Sequence, residues 1–290
     1  MKTSASCLLF LATGLVLSAR TEERIDRQFT VQPAGQLVVD IDRGSIAVHT
    51  HAENEIQVSV HRDVTHGTKA AEEAFLSAAP ITFRSQNDTL TIESHAASRS
   101  DGWSLFRVQR TEISYDITVP AGFEVKLRTS SGNVAVDALA GAVRANTGSG
   151  SLKFTGVRGP IEGRTSSGSV RVVGCAGPVN VHTGSGSLKI EDVAGAVQGS
   201  TGSGSVTAQF SSSLRSDVQL KTSSGSMTLR VADQSAFTLD AATSSGGIRS
   251  ELPVTIVGSA ARNRLAGPIN GGGQSLVLRS GSGSIRVLKL

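Results

Sequence analysis

Two aspartates and two histidines of this chain could bind a metal ion. Asp40 and Asp42 precede the turn at Arg43-Gly44, and His49 and His51 follow it. Each pair occupies alternate positions of a strand, so one face of a hairpin would carry all four side chains. Carboxylate and imidazole groups are ligands for zinc and similar ions. The metal site competes with an ordinary polar hairpin surface, and we expect no cofactor.

A second group of side chains could bind anions. Lys153, Arg171 and Lys189 recur at one outward position after a Ser-Gly turn, and Arg144 and Arg164 point outward from the other strand of their units. In a stack of parallel strands, such neighbours lie about 4.8 Å apart. A row of cations could follow an acidic polymer such as a polysaccharide. The alternative is a solvated face that prevents stacks from aggregating.

The sequence gives little support to catalysis. It contains no Gly-x-Ser-x-Gly nucleophile elbow and no His-Glu-x-x-His motif. Asp137 and Asp192 are isolated, whereas a glycosidase needs a close pair of carboxylates. The Gly-Ser turns resemble phosphate-binding loops, but a strand follows each turn where a phosphate cradle needs a helix. Their recurrence indicates structural turns whose hydroxyls form ladders with turn backbone groups.

An eighteen-residue repeat must position these side chains. The block Thr-(Ser/Gly)-Ser-Gly-(Asn/Ser)-apolar begins at Thr129, Thr147, Thr165, Thr183 and Thr201, with looser copies at Thr222, Thr243 and Ser280. A short fixed period means that each unit buries its apolar face against its neighbours. Each unit holds two short alternating strands and two turns. The pattern predicts an all-β fold, a parallel β-solenoid of short rungs, and fits an antiparallel β-sandwich less well.

Apolar residues fall into columns along the predicted stack. The four strand columns are Val134, Leu152, Val170, Leu188 and Val206; Val136, Phe154, Val172, Ile190 and Ala208; Val143, Ile161, Val179 and Val197; and the small column Ala145, Gly163, Val181 and Gly199. Cys175 shares a column with Leu139, Val157 and Val193, which predicts a buried thiol rather than a reactive one. A glycine column at Gly141, Gly159, Gly177 and Gly195 predicts a positive φ angle or a close approach of rungs.

The chain divides into three predicted parts. Residues 1–19 carry Lys2, a short apolar run and Ser18-Ala19, which indicates a cleaved export signal too short to span a bilayer. Residues 20–122 form a β region with one helix at about 68–79, and residues 98–106, which include Trp103, form a loop. Residues 123–290 form about eight rungs, of which the interval 246–283 holds roughly two, since 267–270 echoes 177–180.

Composition limits the classes of function. Aromatic residues are only 4% of the chain and charged residues 18%, while 32 positions are glycine. Loss of the signal removes Lys2, so the formal charge falls from +4 to +3, which does not indicate a nucleic acid partner. No segment after the signal is long and apolar enough to span a bilayer. One cysteine would remain, so an exported chain would have no internal disulfide.

A family resemblance adds to this interpretation. The segment Tyr115-Asp116-Ile117-Thr118-Val119-Pro120-Ala121-Gly122, with Val125–Arg128 and the block Thr129–Val136 after it, resembles the bacterial putative-adhesin family. That family consists of exported β-strand-repeat proteins, and its domain has no known function. The resemblance covers the chain from about Leu37 onward. It implies a solenoid-like protein, periplasmic, at the cell surface or secreted, without established catalytic residues.

Three functions remain open from the sequence. The first is an exported, non-enzymatic, adhesin-like envelope protein that binds or scaffolds an extended partner, either an acidic glycan or an envelope protein. The second is a carbohydrate-active enzyme, a polysaccharide lyase or hydrolase, on the same solenoid. The third is an accessory protein in envelope-stress signalling. The repeat and its outward basic columns favour the first.

Overall fold

Two large β-sheets and one short helix make up the described part of the chain. The computed structural model describes residues 21–65, 68–96, 110–255 and 261–290. The helix α1 spans Lys69–Ala78. In spatial order, sheet A contains β1 (Thr21–Thr30), β4 (Glu55–Thr65), β7 (Arg110–Pro120), β3 (Ser45–His51), β9 (Val134–Asp137), β11 (Leu152–Thr155), β13 (Val170–Val173), β15 (Leu188–Glu191), β17 (Val206–Phe210), β19 (Met227–Val231), β24 (Ile285–Lys289) and β21 (Ile248–Ser250). In spatial order, sheet B contains β22 (Arg264–Ile269), β20 (Phe237–Ser245), β23 (Ser275–Ser282), β18 (Val218–Ser224), β16 (Val197–Ser203), β14 (Val179–Ser185), β12 (Ile161–Ser167), β10 (Val143–Ser149), β8 (Glu124–Ser131), β2 (Gln36–Arg43), β6 (Thr89–Ser94) and β5 (Thr82–Gln86).

Each repeat unit forms one rung of a parallel solenoid. A rung consists of a strand in sheet B, the Ser-Gly turn, a shorter strand in sheet A, and a second turn that leads back to sheet B. Leu152 of β11 pairs in parallel register with Val134 on one side and Val170 on the other, eighteen residues away in each direction. The predicted fold class is therefore confirmed.

The predicted apolar columns form the core between the sheets. Their members are buried, and both sheets contribute to one continuous cluster of buried side chains. The small column is explained by its neighbours. A Cβ atom at Gly163 would lie 3.0 Å from the ring of Phe154, and one at Gly199 would lie 2.6 Å from a methyl of Leu188. Glycine here makes room for a larger side chain from the opposite sheet.

The two glycine columns have different physical causes. In the Ser-Gly turn, Gly168 has a φ angle of 153°, and a Cβ atom there would lie 2.0 Å from the carbonyl oxygen of Gly150. In the second turn, a Cβ atom at Gly159 would lie 2.1 Å from the carbonyl oxygen of Gly141. Gly159 is not among the positive-φ residues of the described chain. Close approach of successive rungs therefore explains the second column.

A ladder of buried hydroxyl groups joins the rungs, as the sequence predicts. The first residue of each block is buried, and its Oγ donates a hydrogen bond to the turn glycine carbonyl of the neighbouring rung. Thr165 donates to Gly150 at 2.9 Å, and Thr183 donates to Gly168 at 2.7 Å. The same bond is made by Thr129, Thr147, Thr201, Thr222, Thr243 and Ser280. The hydroxyl satisfies a carbonyl that would otherwise be buried without that partner.

The order of the last rungs differs from the prediction. The rung of β23 and β24 lies between the rung of β18 and β19 and that of β20 and β21, so the chain's final rung is inserted one place before the end. The interval 246–283 does not hold two successive rungs. Its segment 267–270 lies at the end of β22, which pairs antiparallel with β20. Pro268 is tolerated there because β22 is an edge strand.

The other end of the stack shows the same arrangement. The rung of β2 and β3 is inserted between β6 and β7 on one side and β8 and β9 on the other. Antiparallel strands β1, β4 and β5 complete this end of the two sheets. The strands predicted within residues 20–122 thus extend the same sheets, and the boundary at residue 122 stays a prediction. The predicted signal at residues 1–19 and the predicted loop at residues 98–106 lie outside the described residues.

The predicted helix is confirmed as α1. Thr68 caps its N-terminus by accepting a hydrogen bond from the N–H of Ala71. At its other end, the buried Arg62 donates to the carbonyl oxygens of Leu76 and Ala79 and forms an ion pair with Glu23 at 3.0 Å. A cation is favourable at a helix C-terminus. Within the described residues, α1 included, no helix has the length and apolar character needed to cross a membrane.

Candidate functional site

The outer face of sheet A carries the first predicted row of cations. Lys153 pairs with Arg171 in parallel register, and Arg171 pairs with Lys189, so the three side chains occupy one outward column on successive rungs. We call these three residues the sheet-A row. Strands of four residues leave only two outward positions in each rung, so this face is shallow.

Glu191 reduces the positive charge of the sheet-A row. It lies two residues after Lys189 on the same face, and its carboxylate is 2.8 Å from the Lys189 ammonium and 2.7 Å from the Arg171 guanidinium. The hydrogen bond from Lys189 and the charge of Arg171 hold the pKa of Glu191 below its ordinary value, against the effect of burial. Lys153 forms no ion pair with a described residue. The row therefore presents less free charge than its sequence indicates.

Glu162 has the same effect on the outer face of sheet B. Arg144 and Arg164, the other two predicted anion-binding residues, lie on adjacent strands, and the side chain of Glu162 lies between them. Its carboxylate is 3.2 Å from Nε of Arg144 and 3.1 Å from a terminal nitrogen of Arg164. These pairs are exposed, so each contributes little to stability.

Sheet B also carries a longer basic column nearer the Ser-Gly turn. Strand pairing places one outward residue per rung in this column, in the order Arg128, Asn146, Arg164, His182, Ser200, Lys221, Arg279 and Ala242. Two residues further along each strand, the outward positions hold only small residues, namely Ser130, Gly148, Ser166, Gly184, Gly202, Ser223, Gly281 and Ser244. A tall column beside a low one leaves a groove, which we call the sheet-B groove.

Two cavities trace this groove along the stack. Each has a volume of about 610 Å³, and both include His182 in their lining, so they meet at the middle of the sheet. One extends toward Arg128, and the other extends toward Arg279 and Ala242. Eight strands at about 4.8 Å spacing give the groove a length of about 34 Å, perpendicular to the strands.

The predicted metal ligands fall on different sheets. Asp40 and Asp42 lie on β2 in sheet B, and His49 and His51 lie on β3 in sheet A. Asp42 accepts hydrogen bonds from the ring of His95 at 3.1 Å and from the N–H of Ala96 at 2.8 Å. Burial opposes its ionisation, but these bonds outweigh it and lower the pKa of Asp42. The structure thus brings the aspartates to His95 rather than to His49 and His51.

His51 belongs to a different set of possible ligands. Its ring, Glu53 and Glu55 each offer an atom within 4.8 Å of the others at the turn between β3 and β4. An imidazole and two carboxylates are ligands that a divalent cation could use. One ring nitrogen of His51 is 2.7 Å from the carbonyl oxygen of Glu55. His49, which the sequence predicts to share a metal site with His51, has its ring 3.6 Å from the carboxylate of Asp137 instead.

Cys175 is buried, as its column predicts. Leu139, Val157 and Val193 are buried beside it in the stack. Burial raises the pKa of the Cys175 thiol, which weakens its reactivity because the thiolate is the nucleophile. The thiol contacts the carbonyl oxygen of Val173 at 3.4 Å. Cys175 therefore acts as a small core side chain.

The isolated carboxylates are not brought together. Asp137 ends β9, and Asp192 follows β15, three rungs along sheet A. Three rungs correspond to about 14 Å along the stack. The paired carboxylates of glycosidases are closer, at about 5–9.5 Å. Asp192 instead accepts a hydrogen bond from the N–H of Ser211 at 2.7 Å. These two residues do not form a glycosidase pair.

The sequence alone did not predict the sheet-B groove or the contact of Glu191 with the sheet-A row. His182 and Arg279 share one column with Arg128, Arg164 and Lys221, but Asn146 and Ser200 interrupt this column and the last rung is inserted out of chain order. The signal for the groove is the second residue of each block, which is always serine or glycine. Its regularity is visible in the sequence, where the Ser-Gly turn alone is enough to explain it.

Comparisons with known proteins agree with the architecture. A family model described as Toastrack DUF4097 matches residues 36–288. The structure of a putative adhesin from Bacteroides fragilis NCTC 9343 aligns with a TM-score of 0.50 at 11% identity, over 92% of this chain and 97% of that one. A putative lipid binding protein from Parabacteroides distasonis ATCC 8503 aligns with a TM-score of 0.38 at 13% identity, over 92% of this chain and 96% of that one. No curated protein matches the chain. The family match confirms the resemblance carried by residues 115–136.

Proposed function

This chain belongs to the Toastrack DUF4097 family, and we propose that it is an exported, non-enzymatic, adhesin-like envelope protein that binds an extended acidic glycan. The similarly folded protein from Bacteroides fragilis is described as a putative adhesin. A binding role for the present chain is in keeping with that description. An envelope protein as the extended partner is the competing outcome of the tests below.

One observation carries this proposal: outward cations lie in register on both faces of the stack. Lys153, Arg171 and Lys189 occupy successive rungs on sheet A. On sheet B, four cations share one column that other residues interrupt, namely Arg128, Arg164, Lys221 and Arg279. A rigid scaffold that repeats one position every rung presents charge along a line rather than at a point. A line of positive charge attracts a polymer that carries negative charge along its length.

Binding to acidic polymers tests the proposal directly. The purified mature protein is passed over immobilised polygalacturonate and over neutral dextran, at low and at high salt. We expect retention on polygalacturonate at low salt and release at high salt, because salt screens exposed charges. Retention on both polymers that is independent of salt would contradict recognition through exposed charge, and no retention on either would leave an envelope protein as the extended partner. Failure to bind any acidic polymer would contradict the proposed function.

A matched pair of variants controls for net charge. Lys153→Glu with Lys221→Glu reverses one cation on each face, and we expect binding to weaken by about tenfold. Arg158→Glu with Arg215→Glu makes the same change in net charge at exposed positions in turns, outside both faces. The control should bind as the wild type does. Circular dichroism and thermal unfolding verify that both variants keep the fold.

Export is a separate part of the proposal. Residues 1–19 have the pattern of a cleaved signal, and removal of it would leave a mature chain that starts near Arg20. Mass spectrometry of the protein from whole cells and from the envelope and secreted fractions tests this. A mature mass that begins near Arg20 in the exported fractions supports export, and full-length protein confined to the cytoplasm would contradict it.

A further inference from the structure

We propose that the sheet-B groove binds a single strand of an unbranched acidic polysaccharide, which lies along the stack axis and crosses the protein strands. This inference rests on the proposed function and adds the face, the orientation and the shape of the ligand. The sheet-A row is then a secondary surface. Four features of the groove support this assignment: its charge, the position of nearby acids, its floor and its length.

The lining of the groove is basic. Arg128, Arg164, Lys221 and Arg279 line the two cavities together with His182. Among the described residues that line either cavity, none is Asp or Glu. The low floor lets a ligand approach the cations from the side as well as from above. A cleft lined by one sign of charge concentrates the field and attracts ligands of the opposite sign.

The acids that contact the cations lie at one end of the groove and along one side of it. At the end, Asp40 continues the column beyond Arg128 and lies 4.0 Å from its guanidinium. Glu162 contacts Arg164 from the side away from the Ser-Gly turn, two residues earlier on the same strand. Asp240, on the neighbouring strand β20, contacts Arg279 from the same side. Its carboxylate forms an ion pair with the guanidinium, and its backbone carbonyl accepts a hydrogen bond from it. A guanidinium has five N–H donors, so each arginine keeps donors for a ligand on its other edge. On the sheet-A row, in contrast, Glu191 lies among the cations themselves.

The floor of the groove suits a sugar chain. The serines and glycines of the low column leave room for a polymer backbone, and Asn146, Ser166 and Ser200 offer groups that can exchange hydrogen bonds with sugar hydroxyls. Single-stranded nucleic acid is usually held by stacking on aromatic side chains. The described lining residues include no Phe, Tyr or Trp. These features favour an acidic polysaccharide over a nucleic acid.

The spacing of the cations favours a long ligand. Along the column, successive charged or titratable residues are separated by two, one, two and one rungs, from Arg128 to Arg279. One short ligand can reach only one or two of them. A polymer that lies in the groove contacts all of them at once, and the later contacts form at high effective concentration.

Charge reversal within the groove tests the assignment. Arg128→Glu with Lys221→Glu places two negative charges at separate points of the groove, on exposed side chains. We expect affinity for polygalacturonate, measured by isothermal titration calorimetry, to fall by about tenfold or more. The matched control is Arg230→Glu with Arg286→Glu, which makes the same charge change at exposed positions on the outer face of sheet A, outside the sheet-A row. It should change affinity by less than about twofold.

A second variant separates shape from charge. Ser166→Trp fills the middle of the groove without changing charge, and its side chain points to solvent. We expect it to weaken binding about as strongly as the double reversal does, while Ser212→Trp, at an exposed position outside the groove, leaves binding unchanged. Thermal unfolding checks that each variant is folded.

The outcomes distinguish this inference from the proposed function. If the wild type binds polygalacturonate and only the groove variants lose affinity, the groove is supported. If the wild type binds but the sheet-A control loses as much affinity as the groove variants, the groove assignment is overturned and the proposed function stands. If the wild type binds no acidic polymer, both are overturned.

Discussion

The outer faces of the two sheets come from the same repeat, yet they differ as binding surfaces. The sheet-B strands that carry the groove have seven to nine residues with three outward columns. Four sheet-A strands of the repeat region have only four residues, with two outward columns. Only sheet B has room for a tall basic column beside a low column of serine and glycine. On sheet A, the second outward column places Glu191 directly beside Arg171 and Lys189.

This difference shows that strand length, rather than the number of cations, decides which face can form a groove. Both faces carry basic residues at rung spacing. The longer strands of sheet B arise because the Thr-(Ser/Gly)-Ser part of each block continues the strand up to the turn. The block therefore supplies the buried hydroxyl ladder with its first residue and the groove floor with its second.

The largest expected effect comes from a change that disturbs both faces at once. Gly168→Ala places a Cβ atom 2.0 Å from a carbonyl oxygen at a φ angle of 153°, so the rungs must separate. We expect a loss of about 3 kcal/mol or more in the free energy of unfolding. Thermal or urea unfolding measures it, and binding by both faces should weaken together.

A matched glycine in the same rung provides the control for this prediction. Gly174 has a φ angle of 61°, but a Cβ atom there meets nothing within 4 Å. The equivalent positions of other rungs hold Ala138 and Asp192, also at positive φ. Gly174→Ala should therefore cost only about 1 kcal/mol. Equal losses for the two variants would contradict the argument that close approach of rungs fixes the turn glycine.

An intermediate effect is expected from the hydroxyl ladder, which also serves both faces. Thr165→Val keeps the shape of a buried side chain but removes the donor to the Gly150 carbonyl. We expect a loss of about 1–2 kcal/mol in the free energy of unfolding, because a buried acceptor loses its partner. Thr165→Ser keeps the donor and should lose less. A valine variant as stable as the wild type would show that the ladder contributes nothing.

The smallest effect is confined to sheet A and sharpens the contrast between the faces. Glu191→Gln should lower stability at neutral pH by at most about 1 kcal/mol, since its ion pairs are near the surface. The folded pKa of Glu191 is lowered, so its stabilising contribution is present above its ordinary pKa and is lost as the pH falls through the folded pKa.

The measurement for Glu191 is unfolding of both proteins across acidic pH. The difference between wild type and Glu191→Gln should shrink as the pH falls, and affinity of the groove for polygalacturonate should stay unchanged at neutral pH. A difference that grows with acidity would contradict the sign of the shift. A large change in groove affinity would contradict the separation of the two faces.

The sequence was sufficient to predict the rungs because inward positions repeat strictly. The columns that contain Val134 and Val136, the buried Cys175 and the helix at Lys69–Ala78 all followed from period and alternation. The order of the rungs could not be predicted, because the block at Ser280 has the same inward residue types as the others and fits between any two rungs. Nothing local records that β23 and β24 are inserted before the last rung.

The candidate site was only partly predictable for a related reason. Outward residues vary from rung to rung, so their grouping depends on which strands are neighbours. Arg279 joins Lys221 only because of the inserted rung. Glu191 was visible in the sequence two residues after Lys189, but its contact with Arg171 depends on how side chains reach across a rung. Asp40 and His49 were predicted to share a face, although β2 and β3 belong to opposite sheets.

The central claim is that the sheet-B groove binds an acidic polysaccharide lengthwise, and its most direct test is the affinity for galacturonate oligomers of increasing length. We expect the dissociation constant to fall steadily until the oligomer spans the groove, about 34 Å, and then to level off. Ser166→Trp should remove most of this dependence on length. An affinity that is the same for short and long oligomers would contradict the claim.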